Sequence, residues 1–164
     1  MSRIAVIGSP GGGKSYFSKK LSKATSIPLY HMDNIYWHAD KTHITRDELV
    51  CAVDKIMQNT EWIIDGNYIS TMEQRVKGAD LIFYLDLSTE QCLEGIRSRV
   101  GKPRSDMPWF EEEPDEDFID FVIKFRDETK PLIEEILMRY KEKKVVRFTT
   151  REEMEIYFEE SINL

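Results

Sequence analysis

Gly8-Ser9-Pro10-Gly11-Gly12-Gly13-Lys14-Ser15 is the stretch on which the reading of this chain turns. It satisfies G-x-x-x-x-G-K-[ST], a pattern in which each residue type answers a physical need. Glycines let backbone N–H groups turn inward around phosphate oxygens, where a side chain would block the approach. The lysine, Lys14, brings a mobile charge to the β- and γ-phosphates, and the Ser15 hydroxyl is placed to ligate Mg²⁺. Such a loop works only between a strand and a helix, because the helix N-terminus must face the phosphates. Both flanks are present: Ile4-Ala5-Val6-Ile7 before the loop, and Tyr16 to Ala24 after it, with Phe17 and Leu21 one turn apart. Gly8 through Tyr16 are therefore the expected nucleotide-phosphate segment.

Outward from the loop, short continuous apolar runs alternate with stretches of helical period. Strands are expected at Arg3–Ile7, Pro28–His31, Trp62–Ile64, Leu81–Leu85 and Lys144–Phe148, all rich in Ile, Val, Leu and aromatics, as strands covered on both faces should be. Helix starts are marked by S/T-x-x-E/Q boxes at Thr45/Glu48, Ser88/Gln91 and Thr150/Glu153. Pro131 should interrupt or restart a long helical region that follows residue 116. The pattern predicts an α/β protein with five parallel strands and crossover helices, folded as a single domain over residues 1–164.

Charge narrows the function. The 164 residues carry a net charge of −7, with 41% hydrophobic and 32% charged residues. An acidic chain is a poor partner for a polyphosphate backbone, so no direct nucleic-acid surface is expected. Yet residues 1–32 hold Arg3, Lys14, Lys19, Lys20 and Lys23 with no carboxylate, and residues 95–104 hold Arg97, Arg99, Lys102 and Arg104 with none. Two positive zones in an acidic protein suit a small anionic ligand. Apolar runs are far short of the ~20 residues that span a bilayer. The N-terminus lacks a signal-peptide pattern, and two isolated cysteines, Cys51 and Cys92, suggest a reduced compartment; a cytoplasmic location is expected.

Three acids follow strand-like runs: Asp33, Asp65 and Asp86. Asp86 leads into Leu87-Ser88, where a helix is being capped, and reads as turn-stabilising. Asp65 precedes Gly66, which permits close backbone approach to a ligand, and is the preferred metal-side acid beside Ser15.

With these motifs in place, a resemblance becomes specific. The loop, Trp62-Ile63-Ile64-Asp65-Gly66, and Ala79 to Leu87 followed by an Arg-bearing helix resemble the adenylate-kinase-like branch of P-loop kinases. His31-Met32-Asp33 with Tyr36-Trp37, Asp65-Gly66-Asn67-Tyr68 and Arg104-Ser105-Asp106-Met107 look more closely like the bacterial FlaR-type topology-modulation proteins, short relatives of that branch. The resemblance covers about residues 2–140. It implies strand order 2-3-1-4-5, ATP and Mg²⁺ as donor, and a short lid at about 101–116. It further implies that Arg97 and Arg99 are the first lid arginines and that Arg126 is a second arginine returning after it. Arginine forks on such a lid would neutralise the charge of the transferred phosphoryl group.

One departure bears on the acceptor. Adenylate kinases follow Asp-Gly with a Pro-Arg pair that grips the acceptor phosphate; here the stretch reads Asn67-Tyr68-Ile69, and Arg46 is the only arginine between residues 24 and 74. Asp33, Tyr36, Trp37, Arg46, Asn67 and Tyr68 are the expected acceptor-side residues, a set suited to hydroxyls and a flat ring, with Asp33 able to orient a hydroxyl or take its proton. The expectation is a kinase of a small molecule, with nucleotide or nucleoside favoured as acceptor. The alternatives are a hydroxylated non-nucleotide metabolite and a nucleotide-binding regulator with little turnover. A GTPase is excluded by the lack of an Asn-Lys-x-Asp motif.

Overall fold

The structure is a computed structural model that describes residues 2–162 apart from 103, 104, 107, 110–112 and 114. Strands β1 (Arg3–Gly8), β2 (Leu29–His31), β3 (Trp62–Asp65), β4 (Leu81–Leu85) and β5 (Lys144–Phe148) form a parallel sheet in the order β2-β3-β1-β4-β5. The α/β class and the order expected for it are both observed. Between the strands run α1 (Lys14–Thr25), α2 (Met32–Tyr36), α3 (Arg46–Met57), α4 (Ile69–Gly78), α5 (Thr89–Arg99), α6 (Glu116–Glu128), α7 (Lys130–Arg139) and α8 (Arg151–Tyr157), with a π-helical turn at Phe158–Ile162.

Side-chain alternation builds a core on each face of the sheet. Ile4 and Val6 of β1 point to Phe17 and Leu21 of α1, Ile96 of α5 and Met154 of α8. Ala5 and Ile7 point to Val53 of α3, Met72 and Val76 of α4 and Ile133 of α7. Burial on both sides is why β1 and β4 read as unbroken apolar runs. Phe17, fully buried, meets the Phe83 ring edge-on at 4.8 Å, and burying such a side chain is worth about 1.5–3 kcal/mol.

The helix-start signals act as the chemistry demands. Thr45 accepts from the Glu48 N–H, Ser88 and Gln91 form a reciprocal box, and Thr150 accepts from the Glu153 N–H. Pro131 sits in the first turn of α7, where its missing N–H costs nothing, so it restarts the helix. The lid expected over 101–116 lies partly outside the described residues, as do Arg104, Met107, Glu111 and Glu112. Asp115 caps α6 through the N–H groups of Asp117 and Phe118. Asp86 departs from the turn-stabilising role read from sequence. Its carboxylate pairs with Lys130 at 2.9 Å and Arg147 at 3.2 Å, tying the end of β4 to α7 and β5.

Candidate active site

The carboxyl ends of β1, β2 and β3 bring Gly8, His31 and Asp65 together, since Val6 and His31 are both in register with Asp65. This is where open α/β sheets bind ligands. Gly8 (φ +128°) and Gly11 (φ +73°) are required by packing: a Cβ would lie 2.2 Å from the Leu85 carbonyl oxygen and 2.6 Å from that of Cys92, respectively. Ser9 is fastened to the end of β4, its N–H donating to Leu85 O at 2.7 Å and its hydroxyl to Leu87 O at 3.2 Å. Gly12 turns back on Ser9, and Gly13 enters α1 with left-handed backbone (φ +97°). No side chain caps α1, whereas α3, α5, α6 and α8 each have one. The first amides of α1 therefore keep their donor capacity for a ligand at the helix N-terminus.

Lys14 folds over this loop, its ammonium donating to Gly8 O at 3.1 Å and Ser9 O at 3.0 Å. Burial lowers its pKa to about 8; Asp65 and Asp33 oppose that shift and Arg99 adds to it. The lysine thus stands among two carboxylates and an arginine, with a charge that phosphate oxygens would hold more firmly.

The acidic side is built by β3 and the turn after it. Asp65, 4% exposed, is bonded through Oδ2 to His31 Nδ1 at 2.8 Å. Asn67 clamps the start of the loop, with Oδ1 accepting from Gly8 N–H at 2.9 Å and Nδ2 donating to Gly8 O at 2.7 Å. Its amide positions the cradle, where the sequence reading has it meeting the acceptor. Tyr68 adopts a left-handed conformation (φ +41°) that a bulky residue holds only when its surroundings force it. The forcing group is Arg75 of α4, fully buried, which donates to the carbonyl oxygens of Gly66 (2.7 Å), Asn67 and Tyr68 (3.4 Å) and to Thr71 Oγ1 (3.1 Å). Burial lowers Arg75 to about 10, with Asp65 and Tyr68 opposing. The held Tyr68 hydroxyl donates to Asp33 Oδ1 at 2.5 Å. Burial raises the Asp33 pKa above the usual carboxylate range, Tyr68 and Lys14 pull it back, and Asp65 and Asp106 push it further up.

Two cavities meet at the loop. One, of about 440 Å³, is lined by Lys14, Ser15, Asp33, Trp37, Tyr68, Arg99, Asp106, Phe118 and Phe121, among others. The other, of about 420 Å³, is lined by Tyr16, Gly95, Ser98, Arg151, Met154 and Glu155. Gly11, Gly13 and Arg99 line both. Arg151 supports the shared wall by donating to Gly11 O at 3.3 Å and Gln91 O at 2.8 Å.

The expected site residues divide accordingly. Pro10, Gly11, Gly13, Lys14, Ser15, Asp33, Trp37, Asn67, Tyr68 and Arg99 all border the first cavity, and Tyr16 borders the second. Arg97 is exposed on the outer side of α5 and borders neither; Arg126 is exposed near Asp86 and Pro10, in a separate small crevice. The 3.6-residue period of α5 separates Arg97 from Arg99, two positions apart, onto different faces. Tyr36 and Arg46 line a neighbouring cleft beyond Tyr68, where the Tyr36 ring stacks on His43 at 4.7 Å. Two contributors escape the sequence reading. Arg75 occupies a position in the Met72–Val76 stripe, and a charge in an apolar stripe was the available signal. Asp106 stands in the Arg104-Ser105-Asp106-Met107 stretch quoted for the resemblance, but no pattern there assigned it a place at the cavity.

Oxygen donors define what ion would suit the site. The Ser15 hydroxyl lies 2.7 Å from Asp106 Oδ2, and Asp65 acts electrostatically on the neighbouring Lys14. Hydroxyl and carboxylate oxygens suit a hard cation such as Mg²⁺. Among the described residues no three His, Cys, Asp or Glu side chains gather at metal-binding distance.

Sheet order, cradle and uncapped α1 together make a five-stranded parallel α/β fold with a glycine-rich loop between β1 and α1. Among solved structures the chain is similar to a gluconokinase from Sinorhizobium meliloti 1021, with 14% identity and TM-score 0.57 over 99% of this chain and 90% of that one. It is also similar to the shikimate kinase from Bacteroides thetaiotaomicron, with 13% identity and TM-score 0.62 over 96% of this chain and 94% of that one. No protein-family model and no curated protein matches the chain. Among the described residues, no helix is long and apolar enough to cross a membrane.

Proposed function

We propose that this chain is a Mg²⁺- and ATP-dependent phosphotransferase that delivers the γ-phosphoryl group to a hydroxyl of a small acceptor. The observation that carries the reading is the pair of cavities sharing Gly11, Gly13 and Arg99. A protein that only binds nucleotide needs one cavity beside its loop; a transferase needs donor and acceptor on opposite sides of the same phosphates. The names gluconokinase and shikimate kinase on two similar folds accord with this reading.

In this scheme the nucleoside lies along Tyr16, Ser98, Arg151 and Met154, and the phosphates pass over the amides of Gly13, Lys14 and Ser15. Lys14 and Arg99 hold the outer phosphate oxygens, and both can strengthen their contacts as charge develops there. Mg²⁺, held by Ser15 with Asp65 on its outer side, would neutralise the phosphates and orient them. Asp33 receives the acceptor's hydroxyl proton; its raised pKa suits a general base, and the Tyr68 hydroxyl fixes which carboxylate oxygen stays available. Among the described residues, Lys14 and Arg99 are the only cations lining the acceptor cavity, while Arg46 lies in the cleft beyond Tyr68. Beyond Lys14 and Arg99, an acceptor with its own phosphate would meet no further cation there among the described residues, which favours a hydroxylated acceptor without one over the nucleotide first expected.

ADP release measured against nucleosides, sugars, sugar acids and other polyols tests the reading. The expected result is acceptor-stimulated turnover that Lys14→Ala abolishes in a folded protein. ATP binding without stimulation by any acceptor would favour the regulatory alternative instead.

A further inference from the structure

We propose that the acceptor is a ring-bearing alcohol: its flat ring rests against Trp37 and Phe121, and its reactive hydroxyl sits on a short carbon arm or an attached saturated ring. The inference rests on the reading of the site as a phosphotransferase and deepens it by naming the acceptor's chemical class. Charged groups of the larger cavity gather around the phosphate cradle, where Lys14 is acted on by both Asp33 and Arg99. Four aromatic side chains border the same space, Trp37 and Tyr68 after β2 and β3, Phe118 and Phe121 on α6. Helix α6 packs on α5 and α7, which follow β4, so the two aromatic pairs arrive from opposite sides of β1.

Trp37 is a prepared surface. Its ring meets those of Tyr36, His43 and Trp109 at centroid distances of 5.0, 5.4 and 5.6 Å, and Tyr36 is itself stacked on His43. A ring braced in this way loses little freedom when a ligand covers it. Phe121 is stacked beside Phe118 at 6.2 Å and yet is 41% exposed. An open aromatic ring in a ligand cavity gains most from a rigid apolar face laid against it. The face of a phenyl ring returns no ordinary hydrogen bond for the water that a polyol's hydroxyls would give up there.

Asp33 sets the spacing. Its carbonyl oxygen accepts the Trp37 N–H at 3.0 Å, so the two residues stand one helical turn apart, with about 5–6 Å between their Cβ atoms. A hydroxyl attached directly to the flat ring falls short of that span, whereas one on a short arm or a second ring reaches across it. At Asp33 the hydroxyl gives its proton to the carboxylate. Its oxygen bonds to the γ-phosphorus of ATP, and ADP leaves with the electron pair of the broken P–O bond.

The test uses the full chain with Mg²⁺–ATP and measures ADP release against two sets of probes. One holds uridine, adenosine, benzyl alcohol and pyridylmethanol; the other holds glycerol, sorbitol, glucose and gluconate. The best ring alcohol is expected to exceed the best of the second set in kcat/KM by about tenfold or more, equivalent to about 1.4 kcal/mol. A nucleoside in first place puts the hydroxyl on a second ring and an arylmethanol puts it on an arm; either upholds the proposal. Phe121→Leu, at a partly exposed position, keeps apolar bulk and removes the flat face. It should raise the KM of that ring alcohol about threefold or more and leave the KM of ATP unchanged. In the wild type, nuclear Overhauser contacts should join the acceptor's ring protons to the Trp37 and Phe121 rings. A ratio below tenfold, a smaller KM rise in Phe121→Leu or a lack of those contacts overturns this proposal and leaves the phosphotransferase reading standing. ADP release that no probe of either set stimulates overturns both.

Discussion

Lys14 carries its charge at a cost that its ligand can remove. Burial brings the ammonium to about 8, so near neutral pH it is mostly charged but easily discharged. Phosphate oxygens bind the protonated form and would raise that pKa again. The sign follows: nucleotide affinity is full below pH 8 and declines as pH rises through it, by about tenfold per unit until the pKa of the complex is reached. Calorimetric titration of ADP from about pH 7 to 9.5 should show this fall. Lys14→Arg, whose guanidinium keeps its proton throughout, should show weaker binding and no such decline. A wild-type affinity flat across pH 8 would mean that Lys14 does not meet the phosphates. At this scale the sequence was informative wherever the motif specifies chemistry, as at Lys14 and Ser15. It was silent where a contact crosses many positions of irregular chain, as between Ser15 and Asp106.

Among the elements, α4 does more than cover the sheet. It sends Arg75 back through the core to hold the three carbonyls of the Gly66–Tyr68 turn, and that turn aims Tyr68 at Asp33 and Asn67 at Gly8. Removing the guanidinium strands buried acceptors, each costing about 1–3 kcal/mol. Arg75→Met is therefore expected to destabilise the protein by about 3 kcal/mol in urea unfolding and to lower kcat through the released Tyr68. Arg75→Lys should recover only part of either, since one ammonium cannot reach the span of a planar fork. Wild-type stability in Arg75→Met would mean that the turn holds itself. The strands, the three N-caps and the restart at Pro131 were legible because each is governed by neighbours in sequence. Asp86 was not: its capping-like context is local, but Lys130 and Arg147, which claim its carboxylate, arrive from distant elements.

Across the whole molecule the sheet order polarises the site about β1. Helices α2, α4 and α6, with the turn after β3, contribute to the cavity proposed for the acceptor, while α5 and α8 line the one proposed for the nucleotide, and the cradle lies between. The order could be anticipated from the loop and its relatives in pattern. The cavity could be anticipated only in part: Asp33, Tyr68 and Arg99 were expected at the site, whereas Asp106 and Phe121 reach it from segments with no common signature. This polarity makes kinetic effects separable once an active acceptor is in hand. Phe121→Ala should raise the acceptor KM several-fold and spare that of ATP, whereas Arg151→Ala, which frees Gly11 O, should raise the ATP KM about fivefold, the worth of one ordinary hydrogen bond. Asp33→Asn should lower kcat about 100-fold or more with both KM values little changed, as expected for a lost general base. Arg46→Ala is the deciding variant, for it stands across Tyr68 from the acceptor cavity. With an acceptor that lacks a phosphate, its removal should leave kcat and both KM values within about twofold. A tenfold or greater rise in acceptor KM, about 1.4 kcal/mol, would instead place an acceptor phosphate in the Tyr36–Arg46 cleft and return the nucleotide to first place.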